Sequence, residues 1–218
     1  VFIYKNFYNH EALKLFYQDL ESGLPLENLL KSSNTRGQFA LILYYKNELK
    51  ICTDRLGYYP LYFYQKGDNI SISNSMLSIA KNNKCTLNKL GVSEYLSENY
   101  KYAAFACCDQ NIFAEISYFE AGTIFNLKKD SIIKKQYFNI KDKIKIGYYQ
   151  NFKEAVDKAE ELLTDNLSFL KNVEGKIHSD ITGGVDTRVI IALLSKLNIK
   201  FDVGLQAITE YADASNAG

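Results

Sequence analysis

The residues best suited to chemistry lie in one short run, Ser179-Asp180-Ile181-Thr182-Gly183-Gly184-Val185-Asp186-Thr187-Arg188. An apolar run, Val189-Ile190-Ile191-Ala192-Leu193-Leu194, follows it. A strand-like lead-in, adjacent glycines and an apolar continuation predict a strand, a tight turn and a helix N-terminus. Such a turn aims backbone N–H groups and the positive end of the helix dipole at an anion. Glycine lets the backbone approach a phosphate closely. Thr182 and Thr187 add hydroxyl donors, and Asp186 can hold a magnesium ion that bridges phosphate oxygens. Gly-Gly alone would mark only a tight turn, but the whole string Thr-Gly-Gly-Val-Asp-Thr favours phosphate binding. It is not a Walker loop, because the Gly-Lys-Ser/Thr ending is missing, and not a dinucleotide fingerprint, because the third glycine is missing.

The elements around the loop must hold it at a sheet edge. Lys176 to Ile181 reads as a strand, the helix runs to Leu197, and Phe201 to Ile208 reads as the next strand. Strand, helix, strand implies a parallel pair with a right-handed crossover. A ligand then sits at the carboxyl ends of the strands, where Thr182 to Thr187 lies. Before this unit comes an amphipathic helix, Phe152 to Leu170, with Phe152, Ala155, Val156, Ala159, Leu162, Leu163, Asn166, Leu167 and Leu170 on the helical period. Residues Asn139 to Gln150 are polar without periodicity and mark a domain boundary.

The part before that boundary is rich in β signals. Val1 to Tyr4 reads as a strand, and Glu11 to Leu20 as a helix with Leu13, Leu15, Phe16 and Leu20 inward. Leu24 to Leu30 is a second short helix. Gly37 to Tyr45 is a nearly continuous apolar strand, of the kind buried on both faces. Asn47-Glu48 turns it into Leu49 to Thr53, a hairpin. Gly57 and Pro60 punctuate the turn in Asp54 to Tyr64, and Asp54-Arg55 reads as a structural turn with an internal ion pair. Ile70 to Ser75 is a strand and Ser75 to Lys81 a short helix. Asn88 to Tyr100 is a helix with Leu90, Val92, Tyr95 and Leu96 inward. Phe119 to Leu127 and Ile132 to Phe138 form a closing hairpin, which completes an α+β pattern.

A net charge of +1 advertises neither nucleic acid nor a membrane surface. No apolar run is long enough to span a bilayer. Cys52, Cys85, Cys107 and Cys108 show neither metal spacing nor a paired framework, and Cys107-Cys108 reads as two buried thiols. A reduced, cytoplasmic setting fits. His10 and His178 read as surface or structural histidines. Val1 enters a strand-like run without an initiator methionine, and Gly218 stops soon after the second strand of the parallel pair, so an internal portion of something longer is expected.

The loop resembles the pyrophosphate loop of the N-type ATP pyrophosphatases, commonly Ser-Gly-Gly-x-Asp-Ser. Upstream, Gly37-Gln38-Phe39-Ala40 and then Asp54-Arg55-Leu56-Gly57-Tyr58-Tyr59-Pro60-Leu61-Tyr62 resemble the late part of a class II glutamine amidotransferase domain. That domain commonly reads Gly-x-Phe-Ala, then Asp-x-x-Gly-x-x-Pro-Leu-Tyr. Gly122-Thr123-Ile124-Phe125-Asn126-Leu127 with Gln136-Tyr137-Phe138 is similar to its closing hairpin. This order of modules is that of the asparagine synthetase family, and the resemblance covers nearly all of the chain.

The resemblance implies an α+β Ntn-hydrolase-like layered sandwich over residues 1–140. The start of an α/β adenine-nucleotide α-hydrolase-like domain with a parallel sheet would follow over 151–218. It implies ATP and Mg as cofactors. Thr182, Gly183, Gly184, Val185, Asp186 and Thr187 would hold pyrophosphate, and Ile181 and Val203 would meet adenine through backbone groups, with Leu205 or Gln206 as alternatives to Val203. Asp186 and Asp213 would face the metal, although Glu210 and Asp213 could equally cap a helix start. Asp186 and Arg188 are the catalytic candidates, Arg188 reaching phosphate or an acidic substrate unless it is a solvent-facing helix residue. The expected partners are a small-molecule carboxylate and an amine or ammonia donor, with no nucleic acid and no membrane. Homodimerisation is left open.

The family's nucleophile is an N-terminal Cys, whereas this chain begins at Val1. The family's Asn-Gly-Glu-Ile-Tyr-Asn strand, whose Asn-Gly helps form the oxyanion hole, falls at Tyr4-Lys5-Asn6-Phe7-Tyr8-Asn9. Tyr and Lys there would obstruct the backbone approach. The expectation is therefore an ATP-dependent amide-forming ligase that adenylates a carboxylate and carries a degenerate glutaminase domain. The alternatives are a complete glutamine-hydrolysing asparagine synthetase seen as a fragment, and a non-catalytic protein that binds a nucleotide or a partner. A tRNA thiolase or argininosuccinate synthetase is a further rival, against which the Asp54–Tyr62 motif argues.

Overall fold

A computed structural model of the chain describes residues 1–67, 69–97, 111–128, 131–144, 149, 151–182 and 184–205. In chain order the elements begin β1 (Phe2–Tyr4), β2 (Phe7–Tyr8), α1 (Asn9–Glu21), α2 (Leu26–Lys31), β3 (Thr35–Gly37), β4 (Ala40–Tyr45) and β5 (Glu48–Thr53). Next come β6 (Tyr62–Lys66), β7 (Asn69–Ser73), α3 (Met76–Asn83), α4 (Lys89–Tyr95), β8 (Ile116–Tyr118), β9 (Thr123–Lys128) and β10 (Ser131–Gln136). The rest is α5 (Phe152–Leu167), β11 (His178–Ile181), α6 (Val185–Lys196) and β12 (Asp202–Leu205), with short 3-10 segments at Ile140–Asp142 and Ser168–Asn172. By compactness the chain divides into two units, Val1 with Pro25–Ile144, and Phe2–Leu24 with Lys145–Gly218.

The first unit is layered. Strands β10-β9-β5-β4 form one antiparallel sheet and β7-β6-β8 another. Lys46 and Asn47, at φ 51° and 60°, make the two-residue turn between β4 and β5, the twist that tight hairpins favour. Cross-strand partners Ile51 and Phe125 share one face and pack on Leu61 and Phe119. The Phe119 and Phe125 rings meet edge to face at 4.7 Å. Tyr64 and Ile116, from the second sheet, pack on Ile79 and Ala80 of α3.

Two sequence expectations fail in this unit. The β4 run is not buried on both faces: Ala40 joins the core, but Ile42 and Tyr44 are 61% and 69% exposed. The strand is outermost in its sheet order, so Ile42, level with the buried Ile51, lies at the margin of that face. In α4, Leu90, Tyr95 and Leu96 face outward and Gly91 is the buried residue. A Cβ on Gly91 would lie 2.2 Å from the Asn111 carbonyl oxygen, so this helix docks through its backbone and turns its leucines away.

In the second unit, Lys5 and Asn6 form a left-handed turn (φ 49° and 64°) that pairs Tyr4 with Phe7. Ala12, Phe16 and Leu20 are the buried stripe of α1. That four-residue spacing leaves the predicted Leu13 outside, 41% exposed. The Phe16 ring meets those of Phe2 and Tyr4 edge to face at 5.5 and 5.2 Å. Strands β11 and β12 are parallel as expected, joined by α6, whose Leu193 and Leu194 are buried. The predicted helix from Phe152 ends at Leu167 and passes into the 3-10 segment. None of its residues is buried, so its apolar stripe is open among the described residues.

Candidate functional site

Strand β11 ends at Ile181 and α6 begins at Val185, so the predicted loop is the link between them. The Thr182 N–H donates to Thr187 Oγ1 at 3.2 Å, and the two threonine hydroxyl oxygens are 3.3 Å apart. The Gly184 N–H donates to Thr182 Oγ1 at 3.2 Å, and the Thr187 hydroxyl reaches the Gly184 carbonyl at 3.4 Å. The two threonines therefore clamp the loop across the first turn of α6. Gly184 is the N-cap and offers no side chain to the first-turn amides, which leaves their donor capacity and dipole end to a ligand. A Cβ at Gly184 would come within 3.3 Å of Thr182 Oγ1, so glycine keeps this cradle open.

Asp186 lies exposed in that first turn, where a carboxylate is favoured. Arg188 follows two residues later, about 200° further round the helix, so it does not share a face with Asp186. Val185 is 64% exposed. Ile181 stands level with Leu205, while Val203 stands level with Ser179, one step back from the carboxyl edge, and is 52% exposed. At the loop's level, the β12 residue is thus Leu205, one of the alternatives to Val203. Gly183, Gln206, Glu210 and Asp213, together with Cys107 and Cys108, lie outside the described residues. Among the described residues no group of three or more His, Cys, Asp or Glu side chains could hold a metal. The donor set suits a magnesium-bound polyphosphate: two hydroxyls, first-turn amides and one exposed acid. Sequence reasoning gave Asp180 no role, yet its Oδ1 lies 2.7 Å from where a Cβ of Gly204 would be, so the β12 glycine makes room for this carboxylate. An acid two residues ahead of the loop's first threonine was the visible signal.

The motifs of the first unit are structural. Asp54 is 2% exposed. Its carboxylate accepts from the N–H groups of Leu56, Tyr58 and Tyr59 at 3.0, 3.1 and 2.9 Å, and from that of Phe39 at 3.4 Å. Arg55 is not its ion-pair partner. The guanidinium donates to the carbonyls of Leu30, at 3.1 Å, and Ser32, and lies over the Phe138 ring. It replaces missing partners at the end of α2, and its burial lowers its pKa. Gly122, at φ 61°, has the Phe138 carbonyl oxygen 2.4 Å from the place a Cβ would occupy. The Tyr137 hydroxyl donates to the Thr53 carbonyl at 2.7 Å, and burial raises its pKa.

Tyr4 and Lys5, the positions matched to the family's Asn-Gly, are both committed to α1. Tyr4 is 2% exposed. Its hydroxyl donates to Asp19 Oδ2 at 2.6 Å, and Lys5 Nζ reaches the same oxygen at 2.6 Å. Burial, and then this bond, raise the Tyr4 pKa. Lys5 and then Tyr4 hold the Asp19 carboxyl below the usual range.

The family model described as a glutamine amidotransferase domain matches residues 28–138. The chain is also similar to a Methanocaldococcus jannaschii protein named "putative asparagine synthetase (glutamine-hydrolyzing) 2", 26% identical over 91% of this chain and 42% of that protein. The chain thus spans less than half the length of that relative. A similarity over 91% of the chain runs past residues 28–138 on both sides. No helix among the described residues is long and apolar enough to cross a membrane.

Proposed function

The chain belongs to the glutamine amidotransferase domain family in its asparagine-synthetase-like form, and from this premise we propose that it serves an ATP-dependent ligase that adenylates a carboxylate and transfers it to an amine. The observation that carries the reading is the Thr182–Thr187 clamp at an uncapped helix N-terminus, placed after an amidotransferase domain in the chain. The layered antiparallel sheets of the first unit accord with the Ntn-like fold of the family. The parallel β11–α6–β12 unit supports reading residues 151–218 as the start of a nucleotide domain.

Thr182, Gly183, Gly184, Val185 and Thr187 would hold the pyrophosphate portion of ATP, and Asp186 would hold magnesium. MgATP, when bound, would supply the adenylyl group that activates the carboxylate, with pyrophosphate as the leaving group and AMP released when the amine takes the acyl group. The chain's own contribution is preorganisation: the first-turn amides and two hydroxyls stand fixed before negative charge develops. Thr187, spanning Thr182 and Gly184, keeps those donors aligned. Asp186 neutralises nothing by itself and acts through the cation it holds.

The glutaminase half is read as degenerate, because Tyr4 and Lys5 are spent on Asp19. The amine is then free ammonia or another amine in solution. The test is pyrophosphate release from MgATP by the full-length protein that contains this chain, screened across carboxylates with and without ammonium or glutamine. Release that needs both a carboxylate and ammonium, with glutamine inactive as donor, is the expected result. Release supported equally by glutamine would overturn the degenerate half, and no MgATP binding at all would overturn the ligase.

A further inference from the structure

Asn6 sits at the tip of the β1–β2 turn, next to Tyr4 and Lys5, and is gripped from far along the chain. Asn172 Nδ2 donates to the Asn6 carbonyl at 2.9 Å, and Ser168 Oγ lies 3.3 Å from Asn6 Oδ1. Ser168 and Asn172 are the two ends of the 3-10 segment that runs on from α5. That segment leads by a short link into β11, whose end is the Thr182–Thr187 loop. On the other side, Lys196 of α6 reaches Glu160 of α5 at 2.5 Å. Two sets of polar contacts thus tie the turn to the 3-10 segment and α5 to the last residue of the loop's helix, with the α5 backbone between them, inside a single compact unit.

We propose that Ser168 and Asn172 form a latch through which occupation of the loop tightens the β1–β2 turn. The inference rests on the nucleotide reading of the loop. Every contact in the two sets is solvent-exposed, so each opens locally at low cost. A ligand that orders the start of α6 limits that opening, and α5 carries the restriction through Glu160–Lys196 to the 3-10 segment and so to Asn6. Asn tolerates the left-handed backbone at φ 64°, so Asn6 can offer its carbonyl and side chain to the latch without strain. A merely local staple would hold the turn equally with and without the ligand. The latch differs by making the two respond together, and linkage makes the coupling reciprocal.

Hydrogen exchange resolved by peptide, on the full-length protein that contains this chain, with and without MgATP, tests this. MgATP should slow exchange over residues 182–197 and, by roughly fivefold, over residues 4–8, the size expected for strengthening one modest hydrogen bond. In the Ser168→Ala/Asn172→Ala double variant the slowing over 182–197 should persist while that over 4–8 disappears. Unchanged exchange over 51–66 in the variant is the check on folding, and Asn172→Asp supplies a second variant that keeps the shape but loses the donor. Slowing over 182–197 without slowing over 4–8, or equal slowing over 4–8 in the variants, overturns the latch and leaves the nucleotide reading standing. No effect over 182–197 removes the nucleotide reading and the latch with it.

Discussion

The Tyr4 hydroxyl donates to the Asp19 carboxylate at 2.6 Å, across the junction of β1 and α1. Lys5 adds its ammonium to the same oxygen. Tyr4→Phe removes a bond to a charged acceptor but keeps the ring against Phe16, so a loss of about 1–2 kcal/mol is expected in urea unfolding. Tyr4→Asn, which restores the family's residue, truncates a buried ring and should cost about 3 kcal/mol or more. It should bring no glutamine hydrolysis. Glutamate formation by that variant, measured enzymatically, would refute the structural role assigned to Tyr4.

Asp54 is the fastening of the β5–β6 turn. Asp54→Ala leaves one buried and three part-buried backbone N–H groups without their acceptor and should cost about 3 kcal/mol, whereas Asp54→Asn keeps one acceptor and should cost less. Denaturant midpoints of the two variants decide this. Equal midpoints would mean that the carboxylate is not what holds the turn.

Glu27 is held at about 2, against an ordinary 4.5, by Lys135 and then Lys31. A lowered folded-state pKa contributes stability fully above 4.5 and loses it as the pH falls from 4.5 towards 2. The group is solvent-screened, so Lys135→Ala should lower stability at neutral pH by only about 0.5–1 kcal/mol and flatten the acid limb of the stability profile. Thermal melts from pH 2 to pH 7 show whether the variant and the parent converge in acid, as this requires.

Gly184→Ala keeps an ordinary backbone angle, φ −72°, yet puts a methyl group against Thr182 Oγ1. It should weaken MgATP binding about tenfold, a loss near 1.4 kcal/mol, with little change in thermal stability without nucleotide. Asp186→Ala should reduce magnesium-dependent affinity at least as much. Calorimetric titration separates this from a purely structural loop, in which both variants would bind as the parent does.

Cys52 is fully buried, and burial pushes its thiol up to about 12. It should resist alkylation at pH 8 in the native protein and react once urea unfolds the first unit, because only the thiolate is nucleophilic. Labelling resolved by mass spectrometry at this residue provides the check. Native-state modification at the rate of free cysteine would contradict the buried core around β5.

Much of this architecture was legible from local pattern. The β4–β5 hairpin, the β9–β10 pair, α3 behind Ser75, whose hydroxyl oxygen accepts from the Ser78 N–H, and the parallel β11–α6–β12 unit all carry their signals within a few residues. Period, turn residues and caps are short-range properties, so a linear reading finds them. Burial was less legible. Leu13, Leu90 and Ile42 are apolar and correctly placed on their elements, yet they face outward, because the neighbouring layer decides which part of an apolar stripe is covered.

The site divides in the same way. The order of residues alone determined the loop: its glycines, hydroxyls and acid are contiguous, and their chemistry follows from type and spacing. Folding in three dimensions decided the rest. It set Leu205, not Val203, beside Ile181, turned Arg55 to the end of α2 rather than to Asp54, and tied Tyr4 and Lys5 to Asp19. It also brought Asn6 to Ser168 and Asn172, more than a hundred and sixty positions apart in sequence. Register, helix azimuth and long-range hydrogen bonds depend on how elements meet, and no window along the chain contains both partners.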